Sequence, residues 1–84
     1  MSKLFYPAVF HPEEVGGYSV DFPDLPGCVT EGNTLPEAVS MAEEALSLYL
    51  EALGADSELA PVPSDPTDIE IRVGDSVRLI EAMP

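Results

Sequence analysis

The sequence predicts a single α+β domain in which an antiparallel β-sheet meander is covered by one long amphipathic helix, in the order βββαβ. Three observations predict it. Short runs with the two-residue alternation of half-buried strands stand near both ends of the chain. Glycine- and proline-containing pairs, Gly16-Gly17, Pro26-Gly27 and Gly74-Asp75, punctuate them. Between them, residues 34–54 carry apolar side chains at steps of three and four, the period of a helix with one buried face.

The first strand is read over residues 4–10, Leu-Phe-Tyr-Pro-Ala-Val-Phe, where Pro7 removes a ladder donor and predicts an edge position or a bulge. His11 follows and is expected to be a solvated residue of a hairpin loop. The second strand, Tyr18 to Phe22, places Tyr18, Val20 and Phe22 on one face, and Gly16-Gly17 supplies the positive-φ freedom for an antiparallel hairpin with the first. Pro23 to Gly27 forms a corner, Pro26-Gly27 favouring a type II turn. A short third strand is expected over about Cys28 to Glu31.

The sequence Thr34-Leu35-Pro36-Glu37 fits a capping box, with Pro36 in the first turn where its missing N–H is harmless. A helix therefore starts there. Leu35, Ala38, Ala42, Ala45, Leu46, Tyr49, Ala52 and Leu53 form its apolar stripe, and Gly54 is the expected terminator. Residues 55–67, with Pro61, Pro63 and Pro66 among acidic and small residues, read as a Pro-rich linker that packs poorly and stays extended. Order returns in a terminal strand region, 68–82. Ile69, Ile71 and Val73 alternate, Gly74-Asp75 turns, and Val77 to Ile80 extend a last strand. The whole of 1–84 is thus one domain with its core at about 4–54.

The chain carries 16 Asp and Glu against 3 Lys and Arg, a formal net charge of −13. Affinity for nucleic acid comes largely from cations displacing counterions, and Lys3, Arg72 and Arg78 make no basic groove, so direct nucleic-acid binding is not expected. A basic protein fits this charge better as a partner than nucleic acid does, although keeping a small protein soluble is the commoner reason for such an excess of acids. No run of 18 or more apolar residues is present, and the start Met1-Ser2-Lys3-Leu4-Phe5 lacks the layout of a secretory signal; the expected location is the cytoplasm, with no membrane role.

One cysteine, Cys28, cannot close an internal disulfide, and one Cys with one His does not make a structural zinc site. Neither residue sits in a nucleophilic setting, and Cys28 reads as a small half-buried hydrophobe. No cofactor motif and no catalytic residue is identified. The carboxylates Glu13, Glu14, Asp21 and Asp24 gather in or beside the first two strands, which motivates an alternative reading as a metal-dependent hydrolase. With so many acids, such groupings arise from composition, and binding is the leading expectation. Met41, Leu48 and Leu50 lie beside the main helical stripe and, if exposed, favour a homodimer or higher homo-oligomer.

The run from Gly16 to Ala38, Gly-Gly-Tyr-Ser-Val-Asp-Phe-Pro-Asp-Leu-Pro-Gly-Cys-Val-Thr-Glu-Gly-Asn-Thr-Leu-Pro-Glu-Ala, resembles the signature of the HicB-like antitoxin family. The likeness extends upstream to Tyr6-Pro7-Ala8 and downstream through Ala42-Glu43-Glu44-Ala45-Leu46, covering about residues 4–53. It implies a partial ribonuclease-H-like fold. It also implies binding to a small basic ribonuclease toxin, HicA-like, that cleaves mRNA through a histidine and is silenced when its active surface is covered. The partner-binding residues expected on this reading are Glu13 and Glu14 in the hairpin loop with Asp21 and Asp24 at the corner. Another basic protein ligand is a third reading. Many family members carry a further DNA-binding domain of the helix-turn-helix or ribbon-helix-helix type; no segment follows Pro84 here, so autoregulation by direct DNA contact is not expected of this sequence.

Overall fold

A computed structural model describes residues 4–82 and contains four strands, β1 (Phe5–Pro12), β2 (Tyr18–Asp21), β3 (Val29–Gly32) and β4 (Ser76–Glu81), with one helix, α1 (Leu35–Ala55). The four strands form one antiparallel sheet in the order β3-β2-β1-β4. This is the expected α+β architecture and is compatible with the partial ribonuclease-H-like label. A short 3₁₀ turn, Pro66–Asp68, precedes β4.

Alternation along β1 assigns the two faces of the sheet. Tyr6, Ala8 and Phe10 point toward α1 and join Val20, Phe22, Leu25, Cys28, Leu46 and Ile80 in the buried core. Pro7, Val9 and His11 point to the opposite face, where register pairs them with Leu79, Val77 and Ser19. The expected edge position of Pro7 is corrected at the level of the strand, because β1 is central. It survives locally. Pairing with β2 begins only at Val9, so at Pro7 the strand is laddered to β4 alone and the missing donor costs no ladder bond to β2.

The turns follow their residues. Glu13 N–H donates to the Gly17 carbonyl and Gly16 N–H to that of Glu13, with Gly16 and Gly17 both at positive φ. The Pro26-Gly27 corner is closed by the Cys28 N–H donating to the Leu25 carbonyl, with Gly27 at φ +84° as a type II turn requires. Thr34 caps α1, its hydroxyl accepting from Glu37 N–H at 3.2 Å. The expected stop at Gly54 is corrected. Gly54 stays helical, and the left-handed residue is Ser57, flanked by Ser57 N–H to the Gly54 carbonyl and Glu58 N–H to the Leu53 carbonyl, the paired bonds of a Schellman motif.

Two further expectations are corrected. The alternation Ile69-Ile71-Val73 does not make a strand: this stretch is irregular, and only β4 after the Gly74 turn is laddered. β1 already has β2 and β4 on its flanks, so a fifth strand here would have only an outer edge to join. Within the helical stripe, Ala52 is exposed, whereas Leu50 packs against the core and only Met41 and Leu48 of the proposed second strip are exposed.

Where α1 crosses β3, the helix comes close enough to exclude any side chain at Gly32. A Cβ there would lie 2.5 Å from Ala38 N and 2.7 Å from Ala38 Cα. Gly32→Ala should therefore lower unfolding free energy by about 1–3 kcal/mol, the usual range for overpacking against backbone. Gly54→Ala, with open space around its Cα, should raise it by roughly 0.5–1 kcal/mol. Urea unfolding of the two variants beside the parent chain checks both signs.

Candidate functional site

The face of the sheet turned away from α1 is crossed by the chain on its way from the helix to β4. Three side-chain contacts tether the segment that leads into that crossing. Tyr6 donates its hydroxyl to the Pro61 carbonyl at 2.7 Å. Asp24, at the corner after β2, accepts from Ser64 N–H at 2.8 Å and from the Ser64 hydroxyl at 2.6 Å. Asp65 then caps the 3₁₀ turn by accepting from Thr67 N–H and hydroxyl, and these bonds hold its carboxyl below the usual carboxylate range. The segment 55–67 is therefore mostly exposed and without strand, yet tethered to the sheet.

Between the sheet and the stretch 64–75 lies an open cleft of about 570 Å³. Asp21, Asp24, Asp68, Glu70 and Asp75 line it against Arg72 and His11, with Val9 from the sheet and Ile69 supplying apolar wall. A smaller depression of about 400 Å³ adjoins it on the hairpin side and takes in Glu13. Of the four carboxylates expected to act together, Asp21 and Asp24 share the main cleft, Glu13 borders the neighbouring one, and Glu14 is exposed on the hairpin and lines neither. Two of the four are engaged within the chain, Asp24 by Ser64 and Asp21 by His11. Among the described residues, no group of three or more His, Cys, Asp or Glu is arranged to hold a metal ion.

His11 is the residue that sequence reasoning misplaced. It is not in a loop but in β1, opposite Ser19, with its ring on the cleft side of the sheet. Its Nε2 lies 2.5 Å from Asp21 Oδ1 and its Nδ1 3.0 Å from Asp75 Oδ1. The Asp21 hydrogen bond is the largest influence on the ring and raises its pKa above 6.5; partial burial opposes this, and the Asp75 bond and both charges add to it. For Asp75, desolvation pushes the carboxyl up, but the Arg72 N–H, the His11 contact and the Arg72 charge outweigh it and leave the group below 3.8. Asp75 is also missed by sequence reasoning. It is 64 positions from His11, and no local pattern joins them.

Cys28 is more deeply placed than a half-buried hydrophobe. It is 4% exposed, its thiol points to the Ala45 carbonyl at 3.7 Å, and burial pushes its pKa up, the environment of an inert packing thiol. Among the described residues, no helix is long and apolar enough to cross a membrane.

Comparison with known proteins places these features in context. The family described as the HicB-like antitoxin of the bacterial toxin-antitoxin system matches residues 6–74. Antitoxin HicB 1 of Photorhabdus laumondii is 38% identical over an alignment covering 98% of this chain and 56% of that protein. Antitoxin HicB of Escherichia coli K12 is 41% identical, over 70% of this chain and 43% of its own length. The chain thus spans about half the length of these curated relatives. Among solved structures, a chain of the HicA3 and HicB3 toxin-antitoxin complex superposes with a TM-score of 0.76 at 31% identity, covering 96% of this chain and 100% of that one. A chain of a toxin-antitoxin complex from Streptococcus pneumoniae shares the fold at a TM-score of 0.87 and 20% identity, over 98% of this chain and 70% of that one.

Asp24 is the strongest tether of the 55–67 segment, and its removal tests that role. Asp24→Ala should cost about 1 kcal/mol, the scale of losing hydrogen bonds to a partly exposed carboxylate. It should also speed proteolytic cleavage between residues 57 and 68 several-fold while leaving the helical circular dichroism unchanged. Timed limited proteolysis with fragment mass measurement reads the difference.

Proposed function

Because the chain belongs to the HicB-like antitoxin family of bacterial toxin-antitoxin systems, we propose that it neutralises a small basic HicA-like ribonuclease by covering the toxin's RNA-binding or active surface. The observation that carries this reading is the 31% identity, over nearly the whole chain, to a protein solved in a HicA3 and HicB3 toxin-antitoxin complex. Its curated relatives include antitoxins named HicB, and the reading as a binding protein follows from that membership. The cytoplasm, where mRNA is translated, is the proposed working compartment.

Electrostatics supports the same conclusion. A protein that grips RNA presents Lys and Arg, and a chain of net charge −13 offers a competing surface. The proposed contact residues are Glu13, Glu14, Asp21 and Asp24. Glu13 and Glu14 are exposed on the β1–β2 hairpin, so a partner can approach them without disturbing the fold. Asp21 and Asp24 meet a partner through the cleft, where each already has an internal hydrogen-bonding partner. The hairpin pair is accordingly the place where charge can be reversed at least structural cost.

Co-expression with a small basic protein encoded beside this chain should yield a stable complex that no longer cleaves RNA. Its association rate should fall about tenfold or more as salt rises from low to roughly 0.5 M, as expected for charge-steered encounter. The double variant Glu13→Lys with Glu14→Lys should slow association further at low salt and leave the unfolding midpoint of the free chain within error. Stopped-flow association and an RNA cleavage assay measure both. Cleavage that continues in the presence of excess chain would remove the antitoxin reading.

A further inference from the structure

His11 stands between two carboxylates from distant parts of the chain, and hydrogen-bond arithmetic constrains its state. A neutral imidazole has one N–H donor and one acceptor nitrogen. Ionised carboxylates only accept. With Asp21 Oδ1 on Nε2 and Asp75 Oδ1 on Nδ1, both contacts are hydrogen bonds only when the ring carries both protons. We propose that His11 is a proton-operated clasp: its imidazolium ties β2 to the turn before β4 through Asp21 and Asp75, closing the segment 69–75 over the sheet, and loss of one ring proton releases that segment.

The surroundings point the same way. On β3, Glu31 opposes Ser19, which in turn opposes His11, and the β1–β2 hairpin brings Glu13 to the same depression as the ring. Across the cleft stand Asp24, Asp68 and Glu70. Arg72 is the one cation among these groups, and its backbone N–H is bound to Asp75 Oδ2. The field around the ring is thus predominantly negative and favours the bound proton, in keeping with the raised pKa.

Within the segment only Ile69 and Asp75 are partly buried. Ile71, Arg72, Val73 and Gly74 are exposed, and Val73 makes no burial at all. Asp75, by contrast, has only 10% of its side chain exposed and receives bonds from both His11 and Arg72. Releasing Asp75 therefore loosens the whole turn. The sign follows from the shifts. His11's contribution is complete below its unfolded value near 6.5 and is lost as pH rises through its higher folded value; that of Asp75 is complete above 3.8 and is lost as pH falls through its lower folded value. The clasp is closed between those limits and opens on the alkaline side.

The device does not depend on the partner's identity, so its test uses the free chain. The imidazole C–H shift of His11, the only histidine, is followed by NMR through its titration, with amide-exchange protection factors measured in parallel. The expected result is a His11 midpoint above 6.5 and a loss of protection at Arg72 and Asp75 of about tenfold with the same midpoint. Asp75→Asn should lower that midpoint and leave protection at Arg72 low throughout. Asp21→Asn, on the other side of the ring, should lower the midpoint as well. A parent-chain midpoint at or below 6.5, or protection that stays flat through the titration, overturns the proposal without reference to either variant.

Discussion

The close contact between α1 and β3 at Gly32 is the constraint on which the rest of the structure depends. Glycine at the end of β3 and alanines at 38 and 42 let the helix backbone settle against the sheet, and the Thr34 cap fixes its direction two residues after the strand ends. From that anchor the helix organises the corner between β2 and β3. Tyr49 donates its hydroxyl to the Pro26 carbonyl, and the Cys28 thiol meets the Ala45 carbonyl. The corner in turn carries Asp24, which holds Ser64, and the held segment leads to Asp75 beside His11. A side chain too large at one position of β3 would thus be felt, through a series of contacts, on the opposite face of the sheet.

A chain with net charge −13 must also fold against its own repulsion. The structure manages this by keeping carboxylates at the surface: no charged side chain is buried among the described residues. Where carboxylates crowd the cleft, hydroxyls, backbone N–H groups and one imidazole face them. Such a surface is well hydrated and avoids like-charged neighbours of its own kind, yet it retains a long-range field for anything basic.

Most of the fold was legible because its signals are local. Capping residues, the alternation of β2 and the Pro26-Gly27 corner each state their conformation within four or five residues, and the structure places them as read. The failures have a common cause, competition from partners distant in sequence. Pro7 looked like an edge residue because proline cannot donate, but which strands flank it is decided by β4, some seventy positions later. Ile69, Ile71 and Val73 have strand alternation and no strand to pair with. The site was less legible than the fold. Asp21 and Asp24 were singled out for their charge, while the residues that engage them, His11 and Ser64, have no local signature, and Asp75 looked only like half of a turn.

The antiparallel pairing of β1 with β4 joins Phe5 to Glu81 and brings Ala82 N–H to the Leu4 carbonyl. During synthesis, β1, β2, β3 and α1 leave the ribosome well before β4 does. Until residue 81 has cleared the exit tunnel, the nascent chain presents Phe5 to Phe10, the stretch of β1 that β4 later pairs, as an open strand edge. Such an edge invites pairing with another chain. The time before β4 docks, whether on a nascent chain or after local opening, is therefore when this fold is most exposed to misassembly with a second copy of itself.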